Sequence, residues 1–439
     1  MDQKGNLSEQ AAQIVQKMSL KEKVSFCSGK NFWYLNSLDR LGLPSIMIAD
    51  RPHGPLKQVS QSDHLMNKAS MPATFFPNVS ALAKSWNIEL MHEVGVALGK
   101  ECVKENVSVL LGPSINIKRH AFCGRNFEYF SEDPVLTGEL AAGLIQGIQS
   151  QGVGASLRHY AVNNQEQGRM FVDVIVDERT LREIYLKGFE IAVKKSQPWA
   201  VMSTYNQVNS VYCGEDVFLL NQILRKEWGF QGLVVSDWGA TNDRVKSIPA
   251  GLDLEMPSSG GLNDRLVLKA VKSGALQESD LDAVIRRNVE LIIKGAPVIH
   301  REIELNQGLH HGLAKRAAGE SVVLLKNKDN QLPLKPSSKI AVIGAFAKNA
   351  GYQSKGSSQL VATTLDNAFD CISSKLDEQG SIMFAQGYEP DMTELNQELL
   401  EEACEMAALA DVVVLFVGLR ARYESKTIDR ERLDIPRQQ

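Results

Sequence analysis

Residues able to carry out acid–base chemistry follow several short apolar runs of this chain. In GLVVSDWGAT, residues 232–241, an apolar run leads directly to Asp237 and Trp238. Carboxylates, cations, a phenol and an indole together suit a sugar, because hydroxyl groups need acceptors and donors and a pyranose face packs on an aromatic ring. The candidate residues of this kind are Asp50, Arg125, Arg158, His159, Tyr205, Asp237 and Trp238, with Asn126 and Glu128 close by in sequence.

Each candidate also has an ordinary structural interpretation. Arg125 and Arg158 would serve equally as structural ion-pair partners, and His159 as a core histidine. Asp237 is also a residue type that caps helices. Their coincidence at the ends of apolar runs favours a shared site. The cations lack a Gly-rich phosphate loop, and no histidine or cysteine spacing indicates a metal site, so we predict neither a cofactor nor a metal.

The elements that position these residues alternate along the chain. Apolar runs at 45–49, 107–111, 153–157, 200–204 and 233–236 are separated by amphipathic segments such as 134–151 and 178–196. Strands that alternate with helices predict a parallel sheet, and fully apolar strands predict burial on both faces. An open doubly wound sheet would concentrate its site at one switch point. Polar residues at the ends of five strands favour a closed (β/α)8-type barrel instead.

The barrel is predicted to occupy residues 1–296, followed by a linker at 297–310 and a second α/β unit at 311–439. The helix at 278–295 is expected to begin with Ser279 and Asp282 as a capping box and to stop at Gly295 and Pro297. Strands of the second unit are predicted near 324–327, 339–344, 381–387 and 411–418. The glycine spacing of KIAVIGAFAKNAG does not fit a nucleotide-binding loop.

Charge and cysteine usage exclude several functional classes. The chain has 48 basic and 52 acidic side chains, a net charge of −4, and its charges are interspersed. Neither nucleic acid nor a membrane is therefore an expected partner. Six scattered cysteines argue against zinc and against a disulfide framework, and predict buried or inert thiols. The first 24 residues lack an apolar signal-peptide core, so we expect a cytoplasmic protein. Its oligomeric state stays open.

Several long stretches resemble the β-glucosidase type of glycoside hydrolase family three. They are LGPSINIKRHAFCGRNFEYFSEDP (111–134), GVGASLRHYAVNNQE (152–166), VMSTYNQVN (201–209), GLVVSDWGATNDR (232–244), AGLDLEMP (250–257), ESVVLLKN (320–327), KIAVIG (339–344) and VVVLFVG (412–418). Family β-N-acetylglucosaminidases carry a Gly-rich loop with an Asp-His dyad in place of RHYAVNNQE, so the resemblance is to the glucosidase branch.

The resemblance implies a (β/α)8-type barrel followed by an α/β sandwich domain, with the sugar bound between them. It also implies hydrolysis of terminal non-reducing β-D-glucosyl residues with retention, from a β-glucoside or a short β-gluco-oligosaccharide. Asp237 matches the nucleophile, and Trp238 matches a residue beside the sugar. The residues that match the hydroxyl-binding set are Asp50, Arg125, Arg158, His159 and Tyr205.

The sequence departs from this family at the proton donor. The family segment E-S-E-G-(aromatic)-D-R corresponds to residues 424–430, ESKTIDR, so Lys426 stands at the position of the acid. A lysine with its usual pKa of about 10.4 is a weak acid toward a glycosidic oxygen. Glu424, two residues earlier, is a candidate substitute acid. Arg51 and Arg158 also replace the family's glycine and lysine at their positions.

The family's second domain continues beyond the motif at which this sequence ends, at Gln439. The sandwich is therefore expected to be incomplete, with an unpaired sheet edge. Two main interpretations follow. One is a β-glucosidase with impaired acid catalysis, and the alternative is a catalytically weak or inactive sugar-binding remnant of such an enzyme. A barrel enzyme of unrelated chemistry is a third.

Overall fold

The alternation of strands and helices forms two successive α/β units in a computed structural model, which describes residues 3–50, 72–351, 361–392, 394–420, 423 and 427–439. The strands of the first unit are β1 (Ile48–Ala49), β2 (Val109–Leu110), β3 (Gly154–Tyr160), β4 (Asp173–Val174), β5 (Ala200–Ser203), β6 (Gln207–Val208), β7 (Val211–Tyr212) and β8 (Leu233–Val235). Its helices are α1 (Gln3–Gln16), α2 (Leu20–Ser25), α3 (Val79–Leu82), α4 (Ile88–Lys104), α5 (Pro134–Ser150), α6 (Glu178–Thr180), α7 (Lys187–Ser196), α8 (Arg244–Ala250), α9 (Leu262–Ser273) and α10 (Glu278–Gly295), with π-helical turns at Leu181–Tyr185 and Phe218–Glu227.

The main sheet is parallel and curls on itself. Its strand order is β1-β2-β3-β5-β8, and single bridges from Val235 to Leu254 and from Glu255 to Ser28 continue it beyond β8. The chain after Ser28 then returns to the first strand, where the Ile48 N–H donates to the Trp33 carbonyl at 2.9 Å. The predicted barrel-type sheet, rather than an open sheet, is confirmed. Strands β4, β6 and β7 form a smaller sheet.

Helix starts show where sequence signals hold and where they do not. Asp133 caps α5 by accepting from two backbone N–H groups, with Pro134 at the first helical position. The predicted end of α10 at Gly295 is confirmed, but the predicted capping box at its start is wrong. Gln277 is the N-cap residue instead, and its side chain makes no capping hydrogen bond. The Asp282 carboxylate instead lies 2.6 Å from the buried Lys23 ammonium. This ion pair connects α10 to α2, so Asp282 does not cap its own helix.

The elements of the second unit are α11 (Gln307–Glu320), β9 (Lys339–Ile343), α12 (Ala368–Ser373), β10 (Ser381–Ala385), α13 (Gln397–Ala408) and β11 (Val412–Leu415). Its three strands form a parallel sheet in the order β10-β9-β11. The strand predicted near 324–327 does not form, and Leu325 is 91% exposed. Apolar residues need a neighbouring strand to complete a ladder, and this segment pairs with none among the described residues.

Helix α11 lies on the first unit and packs against α3 and α4. A second connection joins Ala73 to residues 361 and 363 through two backbone hydrogen bonds. The two units are thus in direct contact, which matters for a site between them. The exact limits 1–296, 297–310 and 311–439 stay predictions.

All six cysteines are free, and four of them are buried. Burial raises the pKa of the Cys27 thiol to about 12, so it is inert at neutral pH. The prediction of buried or inert thiols is thus confirmed as burial for four cysteines, while Cys371 on α12 and Cys404 on α13 are exposed. Within the described ranges, no helix combines the length and apolarity needed to cross a membrane.

Candidate functional site

Strand β8 holds Asp237 at the open end of the curled sheet. The strand is fully buried, and the Ser236 N–H continues the sheet by donating to the Leu254 carbonyl at 2.9 Å. The chain then turns sharply at Gly239, whose φ of 81° favours glycine. Asp237 is 8% exposed. The buried apolar strand β8 therefore fixes the Asp237 carboxylate at the carboxyl end of the sheet.

The two oxygens of Asp237 have different surroundings. Oδ1 accepts from the Trp238 N–H at 2.7 Å and from the Tyr205 hydroxyl at 3.0 Å. Oδ2 has no hydrogen-bond partner within the part of the chain that the structure describes, and it lies 3.7 Å from His159 Nε2. One oxygen is thus held by two donors, while the lone pairs of the other oxygen accept no hydrogen bond from the described residues, as a carboxylate nucleophile requires.

The Tyr205 hydroxyl stays protonated in this site and donates a hydrogen bond. Burial, and next the negative charge of Asp237, raise the pKa of the phenol well above its usual value. The hydroxyl therefore stays protonated over the whole neutral range. The Arg169 guanidinium lies over the ring, 4.8 Å from its centroid. Arg169 thereby restricts how the ring can tilt beside Asp237.

Two buried guanidinium groups share one carboxylate. Glu128 Oε1 accepts from Arg125 Nε at 2.5 Å, and Oε2 accepts from Arg158 Nη2 at 3.3 Å. Arg158 also donates to Asp50 at 2.6 Å and to Ser114 Oγ at 2.9 Å. Burial would lower the pKa of both arginines, but the nearby carboxylates outweigh it and raise the pKa of each. The cluster is therefore a permanently charged set of donors and acceptors.

His159 presents a neutral imidazole. Its Nε2 lies 2.8 Å from Arg125 Nη2. A guanidinium can only donate, so Nε2 accepts and the ring proton belongs on Nδ1. The backbone of His159 is fixed by Asn116, which accepts from its N–H at 2.9 Å and donates to its carbonyl at 2.8 Å.

An aromatic wall stands beside Asp237. The Trp238 ring lies 5.5 Å from Trp33 and 6.4 Å from Phe32, measured between centroids. The indole N–H donates to the Phe32 carbonyl at 3.0 Å. The wall thus combines apolar faces with a fixed orientation, which suits stacking on a sugar ring.

We predict that Glu128→Gln destabilises the barrel strongly. Glu128 is 2% exposed, and its loss leaves Arg125 and Arg158 without their shared counter-charge. Removing one partner of a buried ion pair costs about 3 to 5 kcal/mol of unfolding free energy. Urea unfolding followed by tryptophan fluorescence measures this, because all five tryptophans lie in the first unit.

The matched control is Glu183→Gln. Glu183 pairs with Arg179 on the surface and is 61% exposed, so its loss should change the unfolding free energy by no more than about 0.5 kcal/mol. Equal effects of the two substitutions would contradict the central role of Glu128.

The structure brings together every predicted site residue that it describes. These are Asp50, Arg125, Arg158, His159, Tyr205, Asp237 and Trp238. Glu424, Lys426 and Arg51 lie outside the described residues.

Sequence reasoning missed several contributors. It noted Glu128 without its role, and it overlooked Ser114, Glu166 and Arg169. It also overlooked the ring pair at 32–33, although the stretch NFWY at 31–34 was a visible aromatic signal. In the described part of the chain no three His, Cys, Asp or Glu side chains form a group that could hold a metal ion.

The fold and the site together define a class of protein. A curled parallel α/β sheet carries buried carboxylates and guanidinium groups at its strand ends, next to an aromatic wall. This arrangement is typical of α/β barrel proteins, whose ligand sites lie at the carboxyl ends of the strands.

Comparison with known families gives the particular class. Residues 34–291 match the glycosyl hydrolase family 3 N-terminal domain, and residues 322–439 match the family 3 C-terminal domain. The chain belongs to glycosyl hydrolase family 3.

Individual relatives point the same way. The chain is 50% identical to thermostable beta-glucosidase B of Acetivibrio thermocellus, over 97% of this chain and 56% of that protein. It is 43% identical to an exo-alpha-(1->6)-L-arabinopyranosidase of Bifidobacterium longum, over 99% of this chain and 58% of that protein. The crystal structure of a family 3 beta-glucosidase from Bifidobacterium adolescentis superposes with a TM-score of 0.89 at 42% identity, covering 96% of this chain and 60% of that one. The chain therefore spans somewhat more than half the length of these relatives.

Proposed function

We propose that this protein is a β-glucosidase-type glycoside hydrolase. It cleaves terminal non-reducing β-D-glucosyl residues with retention, through a covalent glycosyl-enzyme at Asp237, and its acid catalysis is impaired. The observation that carries the proposal is the asymmetric Asp237 carboxylate. Oδ1 is held by two donors, while Oδ2 accepts no hydrogen bond from the described residues.

In the first step Asp237 Oδ2 attacks the anomeric carbon. The bond from that carbon to the leaving oxygen breaks, and its electron pair goes to the leaving group. In the second step water attacks the same carbon and its proton passes to solvent, while the bond from that carbon to Asp237 Oδ2 breaks and its electron pair returns to the carboxylate. Two inversions give net retention. The Arg125, Arg158 and Asp50 cluster supplies donors and acceptors for the sugar hydroxyls.

The first step needs a proton for the leaving oxygen when the leaving group is poor. A retaining enzyme places its two carboxyl groups about 5 to 5.5 Å apart. Asp50, Glu128 and Glu166 all accept hydrogen bonds from guanidinium groups. This geometry gives none of them the role of proton donor. From the family motif we assign the place of the donor to residues 424–426, where Lys426 occupies the position of the acid.

A second substrate is favoured by one comparison. The 43% identical relative is an α-L-arabinopyranosidase. An α-L-arabinopyranoside has the same orientation at its anomeric centre as a β-D-glucoside, but it lacks the hydroxymethyl group and has an axial 4-hydroxyl. The same nucleophile and leaving-group geometry would serve both sugars, so both belong in the test.

We expect 2,4-dinitrophenyl β-D-glucoside to be cleaved, with the β-anomer of glucose as the first product seen by proton NMR. The same leaving group on α-L-arabinopyranose measures the rival specificity. A matched control is Asp243→Asn, because Asp243 caps α8 and asparagine caps equally well.

Each result decides between the candidates. Faster release from the arabinopyranoside would assign the rival specificity. The α-anomer as first product would refute retention. Glucose binding in calorimetry without cleavage of either glycoside would favour the sugar-binding remnant.

A further inference from the structure

A segment of the second unit is docked onto the barrel loops beside the site. The Asp429 carboxylate accepts from the backbone N–H groups of Gly124, Glu166 and Gln167, at distances from 2.9 to 3.0 Å. The Arg430 N–H donates to the Phe122 carbonyl at 2.7 Å. Residues 427–430, which we name the docked segment, directly follow the position of the missing acid.

A buried barrel glutamate accepts from the start of this segment. Glu166 Oε2 accepts from the Thr427 N–H at 2.6 Å and from Arg169 Nη1 at 2.6 Å. The Glu166 side chain is 0% exposed. One carboxylate oxygen is therefore shared by the docked segment and by Arg169, so a shift of either donor changes the hydrogen bond of the other.

Arg169 continues the connection to the nucleophile. Its guanidinium lies over the Tyr205 ring at 4.8 Å, and the Tyr205 hydroxyl donates to Asp237 Oδ1 at 3.0 Å. Four successive contacts thus lead from the Thr427 N–H to the carboxylate of Asp237, and every side chain between the ends is packed in the site.

We propose that Glu166 and Arg169 are positioning residues that couple docking of the 427–430 segment to the orientation of Asp237. When the segment is seated, Glu166 holds Arg169, Arg169 holds the Tyr205 ring, and the tyrosine fixes Oδ1. The nucleophile is then aligned only when the docked segment is seated on the barrel loops. The effect of this coupling on catalysis rests on the proposed function, but the structural coupling between residues 427–430 and Asp237 does not.

The test uses amide hydrogen exchange, which does not depend on turnover. Peptides that contain residues 427–430 report one end, and peptides that contain Trp238 report the other, because the Trp238 N–H donates to Asp237. Arg169→Met should raise exchange at both ends about tenfold, because it opens the contacts in the middle. Peptides from β5 give the reference for global unfolding.

Arg169→Lys and Arg179→Met sharpen the comparison. A lysine keeps the charge beside Glu166 but loses the planar contact with the tyrosine ring. It should preserve protection at 427–430 while the Trp238 end loosens. Arg179 forms a similar Arg–Glu pair on the surface and is 83% exposed, so Arg179→Met should change neither end.

Exchange that rises at one end alone in Arg169→Met would overturn the coupling, and so would an equal rise in the β5 reference. The rate at which a dinitrophenyl 2-fluoro-glucoside labels Asp237 should also fall about tenfold in Arg169→Met. If the unmodified protein is not labelled at all, the proposed function fails while the exchange result still decides the coupling.

Discussion

Asp237→Gly is expected to stop cleavage of 2,4-dinitrophenyl β-D-glucoside, and added azide is expected to restore it with the opposite product configuration. Removal of a covalent nucleophile lowers turnover by about 10⁴-fold or more. The shortened side chain leaves space at the face of the sugar that Oδ2 occupied. Azide can attack there and expel dinitrophenolate in one displacement, which gives α-glucosyl azide.

Two measurements check this expectation. Dinitrophenolate release gives the rate, and NMR gives the configuration of the azide product. A 2-fluoro-glucosyl reagent should label the unmodified protein on the peptide that contains Asp237, and it should not label Asp237→Asn. Asp243→Asn, the capping control, should label normally. A label on another peptide would refute the assignment of the nucleophile.

The sequence was most informative where a site residue ends a strand. Asp50, His159 and Asp237 follow buried apolar runs, and neighbouring parallel strands bring their ends to one edge. The pattern of apolar runs that end in polar residues therefore predicts that these side chains lie close together. The pattern does not predict which carboxylate oxygen contacts which side-chain nitrogen.

The carboxylate partners were harder to predict. Glu128 ends a short 3-10 helix (Asn126–Glu128) and pairs with Arg125 three residues earlier and with Arg158 30 residues later. Spacing rules relate residues within one helix or strand, so they say nothing about the pair with Arg158. The helix cap at Ser279 failed for a related reason. A distant lysine engages Asp282, and tertiary contacts override a local signal.

The contact between the docked segment and Glu166 also depends on tertiary structure. Thr427 and Glu166 are 261 residues apart, and neither residue type marks a docking contact. The sequence does contain one local indication of an unusual backbone here, because Thr427 stands where the family motif has glycine. Its φ of 85° lies in the left-handed region, which strains a β-branched residue. The segment therefore departs from the family at three successive positions, 426, 427 and 428.

Lys426→Glu should restore cleavage of poor leaving groups far more than cleavage of good ones. Cellobiose and alkyl glucosides need a proton on the departing oxygen, and general acid assistance is worth about 10² to 10⁴ in rate. Dinitrophenolate leaves without a proton, so its release should change little. The comparison is a plot of log rate against the pKa of the leaving group, which should become flatter in Lys426→Glu.

Thr427→Gly should add to this effect. Glycine adopts a φ of 85° without steric cost, so the double variant relieves strain in the segment next to the restored acid. We expect it to surpass Lys426→Glu on cellobiose and to match it on the dinitrophenyl glucoside. Lys315→Glu provides the control, because it makes the same charge change on the exposed face of α11.

The competing acid is Glu424, and the same substrates separate it from Lys426. If Glu424 donates the proton, the unmodified protein will hydrolyse cellobiose, and Glu424→Gln will abolish that activity while sparing the dinitrophenyl glucoside. Efficient cellobiose hydrolysis that survives Glu424→Gln would contradict both accounts. If cellobiose stays inert in the double variant while dinitrophenolate is still released, the carboxyl at 426 does not reach the leaving oxygen. The docking contacts of Asp429 and Glu166 would then not suffice to place it, since they fix only the residues that follow.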